Sequence, residues 1–244
     1  VNPALTLATA RRILLQLRHD PRTVVMLVVV PSLLMVLLRF VFNSEAVFSR
    51  VAPALLGVFP FLIMFLITSI TTLRERTTAT LERLMTLPIG RLDLLFGYAI
   101  AFGSIAIVQV GVAAGISLAW LGLDIAGSIG MLLLIAVLDA LLGMALGLFV
   151  SAFARTEFQA VQFMPLFVLP QILLCGLFVP RGQMGWLLNR LSDVMPLSYA
   201  VEALTRVTTS GTVDATLIRN LVIVGACALA ALVLGAATLR RRTP

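Results

Sequence analysis

Six stretches of the chain, 23–38, 51–73, 94–123, 125–154, 158–180 and 220–239, carry no charge, apart from Asp139 within the fourth. A helix needs roughly 20 residues to cross about 30 Å of hydrocarbon. Five of the stretches reach that length outright. The first reaches it if Arg39 snorkels and the span continues to Phe42. A bilayer core offers no water to satisfy open backbone groups, so spans of this kind are helices. Composition agrees: 12% of the residues are charged, against about 25% in soluble domains, and the mean hydropathy is +1.08. The expected fold class is all-α: a polytopic membrane protein with six transmembrane helices in a single membrane domain over 1–244.

The chain has no lysine; its 18 Lys-plus-Arg positions are all arginine. A Walker A loop needs a lysine on the phosphates, so no P-loop ATPase resides here, and a lysine Schiff base is excluded too. The lone histidine, His19, rules out a two-histidine zinc motif. Cys175 and Cys227 fall in different apolar stretches and read as small buried hydrophobes. Membrane-embedded phosphotransferases and proteases need clustered His, Asp or Ser–Lys groups near one face, and no such cluster is present. The chain is expected not to be an enzyme by itself, and to hold no cofactor or metal.

With the N-terminus inside, twelve arginines fall on the cytoplasmic side and six on the other. The positive-inside rule then places both termini in the cytoplasm. These arginines set topology and meet anionic lipid; no nucleic-acid partner is expected. Residues 1–22 do not read as a cleavable signal. Asn2 and Pro3 fit an N-cap and first helical position. Leu7, Ala10, Leu14 and Leu17 share one face, with Arg11 and Arg18 on another, as in a helix lying in the membrane surface. Between the fifth and sixth spans, residues 181–216 hold two short amphipathic pieces, too short to cross, that suit an outer re-entrant segment. Pro31, Pro60, Pro165 and Pro170 lie inside spans and permit kinks. Gly111/Gly115 and Gly143/Gly147 have the spacing that lets helices approach closely.

One charged segment, "LRERTTATLERLMTLPIGR" (73–91), separates the second and third spans. Thr77 or Thr78 can cap a short helix there, and Glu82 falls in its early turns, where the dipole favours acid. Leu81, Leu84 and Met85 form an apolar stripe, and Pro88 ends the run. Such a helix could anchor the topology or dock a soluble partner. The segment resembles the first intracellular loop of ABC-2-type exporter membrane subunits, the daunorubicin-resistance permease group. That group carries a Glu, then Gly-Thr-Leu-Glu-Arg-Leu, then Pro and a basic residue. Here Glu75 precedes "ATLERLMTLPIGR", with Ala79 where Gly is usual. A second likeness is "GLFVPRGQMGWL" (176–187) followed by "MPLSYAVEALTR" (195–206), similar to the group's Gly-Leu-Phe-x-Pro end of span five and its Pro-Leu-[ST]-Tyr motif.

The resemblance implies two such subunits, identical or homologous, working with two copies of a separate ABC ATPase that holds ATP and Mg. It implies a coupling helix over 74–90, with Glu75, Thr80, Leu81, Glu82, Arg83, Leu84 and Pro88 seating on the ATPase, and makes 1–22 the connecting helix. Spans two and five would line the cavity through Phe61, Phe65, Thr68, Gln162, Phe163, Phe167 and Gln171, unless those phenylalanines face lipid. Pro196, Tyr199, Glu202 and Arg206 would form the outer gate. Asp139, an ionisable group in mid-span, is a functional candidate by default. It could bind cationic cargo, relay a proton, or sit protonated in a structural hydrogen bond. The implied function is the permease subunit of an ATP-driven exporter in the bacterial cytoplasmic membrane, moving hydrophobic drugs or lipid-like compounds by alternating access. Export of polysaccharide or cell-wall precursors and proton-coupled multidrug antiport are the alternatives.

Overall fold

The computed structural model describes residues 2–78 and 90–238, and every regular element among them is helical. Helix α1 (Pro3–Arg18) opens where the Asn2 side chain accepts the Ala4 N–H at 3.1 Å. Helix α2 (Pro21–Phe42) is capped by Asp20, which accepts the Thr23 hydroxyl and N–H. Those two bonds hold the Asp20 carboxyl below the usual range. Asn43, in the left-handed region at φ 46°, ends α2. Then come α3 (Glu45–Thr77), α4 (Arg91–Ala119) and α5 (Ile129–Val150). The fifth span is made of α6 (Glu157–Phe167) and α7 (Leu169–Leu174). A 3-10 turn at Arg181–Gln183 leads to α8 (Trp186–Val194), α9 (Pro196–Thr209) and α10 (Ala215–Ala237). Six segments are long and apolar enough to cross a membrane: α2, α3, most of α4, α5, α6 with α7, and most of α10.

Several boundaries depart from the apolar runs. Helix α3 begins at Glu45, well before residue 51, because an acidic first turn suits the helix dipole. Helix α10 begins at Ala215 rather than 220, since the Asp214 carboxylate accepts the Leu217 N–H at 2.8 Å. Pro31 and Pro60 are carried inside unbroken helices, whereas the fifth span is interrupted at Val168, just before Pro170.

Polar contacts identify the two ends of the bundle. At the basal end, α1 meets the last turn of α3 and the first of α4, α6 starts beside Arg74, and Thr238 lies by Arg76. At the far end, Arg39 donates to the Leu121 carbonyl and pairs with Glu45, and the Ser49 hydroxyl donates to the Gly122 carbonyl. Both ends of the described chain, Asn2 and Thr238, therefore lie at the basal end.

The core follows α3 and α5, the most extensively paired helices. A Cβ on Gly143 would fall 2.3 Å from the Phe61 carbonyl oxygen, and one on Gly147 would fall 2.3 Å from that of Phe65. The residue numbers rise together along both helices, so α3 and α5 run parallel with their backbones touching. Gly111 and Gly115, with the same spacing, meet no described atom within 4 Å.

Helix α1 packs on the bundle by one face. Its buried side is Thr6, Thr9, Ala10, Ile13 and Leu17, while Leu7 and Leu14 are exposed. The cause is close packing on α4: a Cβ on Gly97 would lie 2.6 Å from the Thr9 Cβ, so small residues rather than leucines form the contact.

Candidate functional site

The basal end gathers the charged side chains around the segment that joins α3 to α4. Arg12 of α1 grips Glu75 on the last turn of α3, Nη1 to Oε1 at 3.1 Å and Nη2 to Oε2 at 3.5 Å. Glu75 is buried and Arg12 largely so. A charge pair this sheltered adds little net stability, but losing one partner strands the other. Asp93, in the first turn of α4, accepts the Gly90 N–H at 3.0 Å and the Asn2 N–H at 2.6 Å. Arg74 reaches across to Glu157 at the start of α6 (2.6 Å), and Arg76 donates to the Thr238 hydroxyl at 3.4 Å. Thr77 and Thr78 donate their hydroxyls back to the Leu73 and Arg74 carbonyls, closing α3 rather than opening a new helix at Thr77. Thus α1 binds both edges of the segment 79–89, one through Glu75 and the other through Asp93. Of the expected docking residues Glu75 is in this cluster; Thr80, Leu81, Glu82, Arg83, Leu84 and Pro88 lie outside the described residues.

The residues expected to line a cavity are split within one chain. Phe61, Phe65 and Thr68 are fully buried along α3. Gln162 and Phe167 are exposed on α6, with Phe163 half-buried between them. Gln171 is buried: its Nε2 donates to the Phe167 carbonyl, and its Oε1 accepts the Leu197 N–H at 3.4 Å. The mid-span carboxyl singled out in the sequence, Asp139, lies in α5, the fourth span. It is fully buried, and neither oxygen has a hydrogen-bond partner among the described residues.

The far-end segment is organised by Arg181, a residue the sequence motifs contained but did not single out. Its guanidinium pairs with Asp193 and, at 3.1 Å, with Glu202, and lies 5.3 Å from the centre of the Tyr199 ring. Glu202 also accepts from Arg206 at 3.2 Å, and Arg206 reaches Asp214 at 2.9 Å. The Tyr199 hydroxyl donates to the Asp193 carbonyl, and the Ser192 and Ser198 hydroxyls both donate to the Leu174 carbonyl. Three of the four expected gate residues, Tyr199, Glu202 and Arg206, are therefore joined in one network. Pro196 contributes the first turn of α9.

Helix α9 runs deep into the bundle. The Ala126 N–H donates to the Thr208 carbonyl in the far-end loop, while Val201 and Leu204 touch the position of Gly57 beside Asp139. Helix α9 thus reaches from the far-end loop past the level of Gly57 and Asp139.

This layout of helices agrees with the comparisons to known proteins. Residues 4–208 match the ABC-2 type transporter family. The chain is 26% identical over 193 residues to the probable multidrug ABC transporter permease YbhS of Escherichia coli (strain K12), covering 78% of this chain and 51% of that protein. It is 26% identical over 142 residues to the linearmycin resistance permease protein LnrN of Bacillus subtilis (strain 168), covering 58% of this chain and 36% of that protein. A match to ABC transporter G family member 20 of Dictyostelium discoideum has 25% identity over 160 residues, 66% of this chain and 22% of that protein. The chain thus spans about half or less of the length of these relatives. With the family match covering most of the chain and six membrane-length helices in place, this multi-pass protein belongs to the ABC-2 type transporter family.

Proposed function

We propose that the chain is the membrane-spanning permease subunit of an ATP-driven exporter, coupled at its basal end to a separate ABC ATPase. The observation that carries this reading is the Arg12–Glu75 pair, which ties α1 to the last turn of α3 beside the segment 79–89. Force applied to that segment by a closing ATPase dimer would reach α1, α3 and α4 together, because all three are linked there by charged contacts. In this reading α1 is the connecting helix, 74–90 is the coupling helix, and Thr80, Glu82 and Arg83 seat on the ATPase. ATP and Mg belong to that partner, since this chain lacks the lysine a phosphate loop requires.

The complex would hold two ATPase copies and two permeases, the second identical or homologous. Gln162, exposed on a membrane-length helix, favours this pairing, because an amide facing lipid is costly and one facing a central cavity is not. The cargo class follows from the same surface: Phe163, Phe167 and Gln162 offer an apolar, aromatic wall with one amide, suited to hydrophobic drugs or lipid-like compounds. The multidrug and linearmycin-resistance names of the relatives point the same way.

The test is charge reversal across the pair in the reconstituted complex. Arg12→Glu or Glu75→Arg alone should cut cargo-stimulated ATP hydrolysis about ten- to a hundredfold, as expected for losing a charge-assisted contact of about 1.5–3 kcal/mol. The double reversal should restore most of it. Unchanged stimulation in both single variants, with normal membrane insertion, would overturn the coupling role.

A further inference from the structure

Asp139 is the eleventh of the 22 residues of α5, about 15 Å from either end of that helix. Its Oδ2 lies 3.1 Å from where a Cβ on Gly57 would stand, so the carboxyl rests against the α3 backbone. Leu204 Cδ1 and Val201 Cγ2 of α9 approach the same point, at 2.9 and 3.8 Å. The carboxyl thus lies between two membrane-spanning helices and the middle of α9.

Among the described residues nothing offers it a countercharge. Arg39 and Arg50 are at the far end, and Arg74 and Arg76 at the basal end. Arg181 and Arg206 are engaged by Asp193, Glu202 and Asp214, and Arg219 contacts the Asn220 side chain. A buried carboxylic acid without a partner is destabilising, and a buried lone carboxylate far more so. An apolar side chain at this position would avoid both costs. Among the described residues it has no partner, so a cation arriving from outside them would supply one.

Helices α3 and α5 meet backbone to backbone at Gly143 and Gly147, whereas α9 approaches the Gly57–Asp139 point through side chains, those of Val201 and Leu204. A shift of α9 would uncover Asp139 and the bare Gly57 backbone together, leaving an acidic group flanked by apolar walls.

We propose that Asp139 and Gly57 form a recognition point for an organic cation carried on an apolar body, reached when α9 moves away from the α3–α5 seam. This deepens the exporter reading, on which it rests, by naming the cargo class: lipophilic cations ahead of neutral or anionic compounds. Gly57 keeps the approach to the carboxyl open, and Val201 and Leu204 act as the apolar lid.

The test needs neither a known cargo nor the ATPase. The full chain in lipid nanodiscs is treated with dicyclohexylcarbodiimide, which modifies carboxyls within apolar surroundings, and modification at Asp139 is followed by peptide mass spectrometry. Tetraphenylphosphonium is the cationic probe and triphenylphosphine oxide its neutral counterpart. Tetraphenylphosphonium at about ten times its dissociation constant should slow modification about tenfold, and the neutral probe should leave the rate unchanged. In Gly57→Ala, whose added methyl crowds Oδ2 and Leu204, protection by the cation should weaken. Equal slowing by both probes, no slowing by either, or an Asp139 that never reacts would each overturn the assignment. Protection by the cation without ATP-driven movement of it in the complex would uphold the recognition point and defeat the exporter reading instead.

Discussion

Gly143 and Gly111 show how much one hydrogen atom in place of a side chain can decide. Both begin a Gly-x-x-x-Gly pair, yet only Gly143 sits where an added carbon would meet the Phe61 backbone, 2.3 Å from its carbonyl oxygen. Backbone cannot step aside as a flexible side chain can, so Gly143→Ala should force α3 and α5 apart. We expect a loss of about 1–3 kcal/mol, typical of overpacking, read as earlier thermal unfolding in detergent. Gly111→Ala, facing open space, should be neutral or gain up to about 1 kcal/mol from helix propensity. Equal effects at the two positions would show that the close contact contributes nothing. The spacing of both pairs was legible in the sequence; which pair is used was not, because the pattern marks a helix face without saying what lies opposite. The same holds for Arg12 and Glu75, whose partnership spans 63 positions. Each residue looks like an ordinary member of a charged surface until the fold brings them together.

At the scale of the element, the far-end segment was legible as short amphipathic pieces and the structure resolves them into α8 and α9. Its internal bracing was not legible, because hydrophobic periodicity is silent about Arg181 and the carboxylates it joins. Helix α8 is held by that guanidinium more than by a core of its own, leaving Trp186, Leu187 and Val194 exposed, whereas α9 buries Leu197, Val201 and Leu204. Arg181→Gln should therefore loosen α8 and the start of α9 by about 1–2 kcal/mol, discounting for partial exposure. Amide hydrogen exchange would register this as faster exchange there, with α3 and α5 unaffected. Arg190→Gln removes only the 4.0 Å contact to Asp193 and should change nothing. Helix α1 teaches the complementary lesson. Its cap and length were legible, but the face it packs on α4 was not, since threonine and alanine serve wherever a glycine on the neighbouring helix admits close packing.

For the whole molecule, the number of spans was the most legible property, because the cost of unsatisfied backbone in lipid leaves a long apolar run little choice but to be a helix. The two-ended architecture makes a direct prediction about sidedness. In a background lacking Cys175 and Cys227, Asp124→Cys at the far end should react with an impermeant maleimide on intact cells. Arg155→Cys at the basal end should react only after permeabilisation; the reverse pattern would invert the assigned orientation. Helix α3 ties these scales together. Its 33 residues make a rod about 50 Å long, well beyond the roughly 30 Å of hydrocarbon it crosses. In the exporter reading proposed above, the glycine seam would act as a fulcrum partway along this beam, with the charged cluster on one arm. A rocking of about 6° would swing the Thr77 tip by about 2–3 Å at 1.5 Å of rise per residue, so a modest tug on that arm is felt at the opposite membrane face without any helix having to unwind.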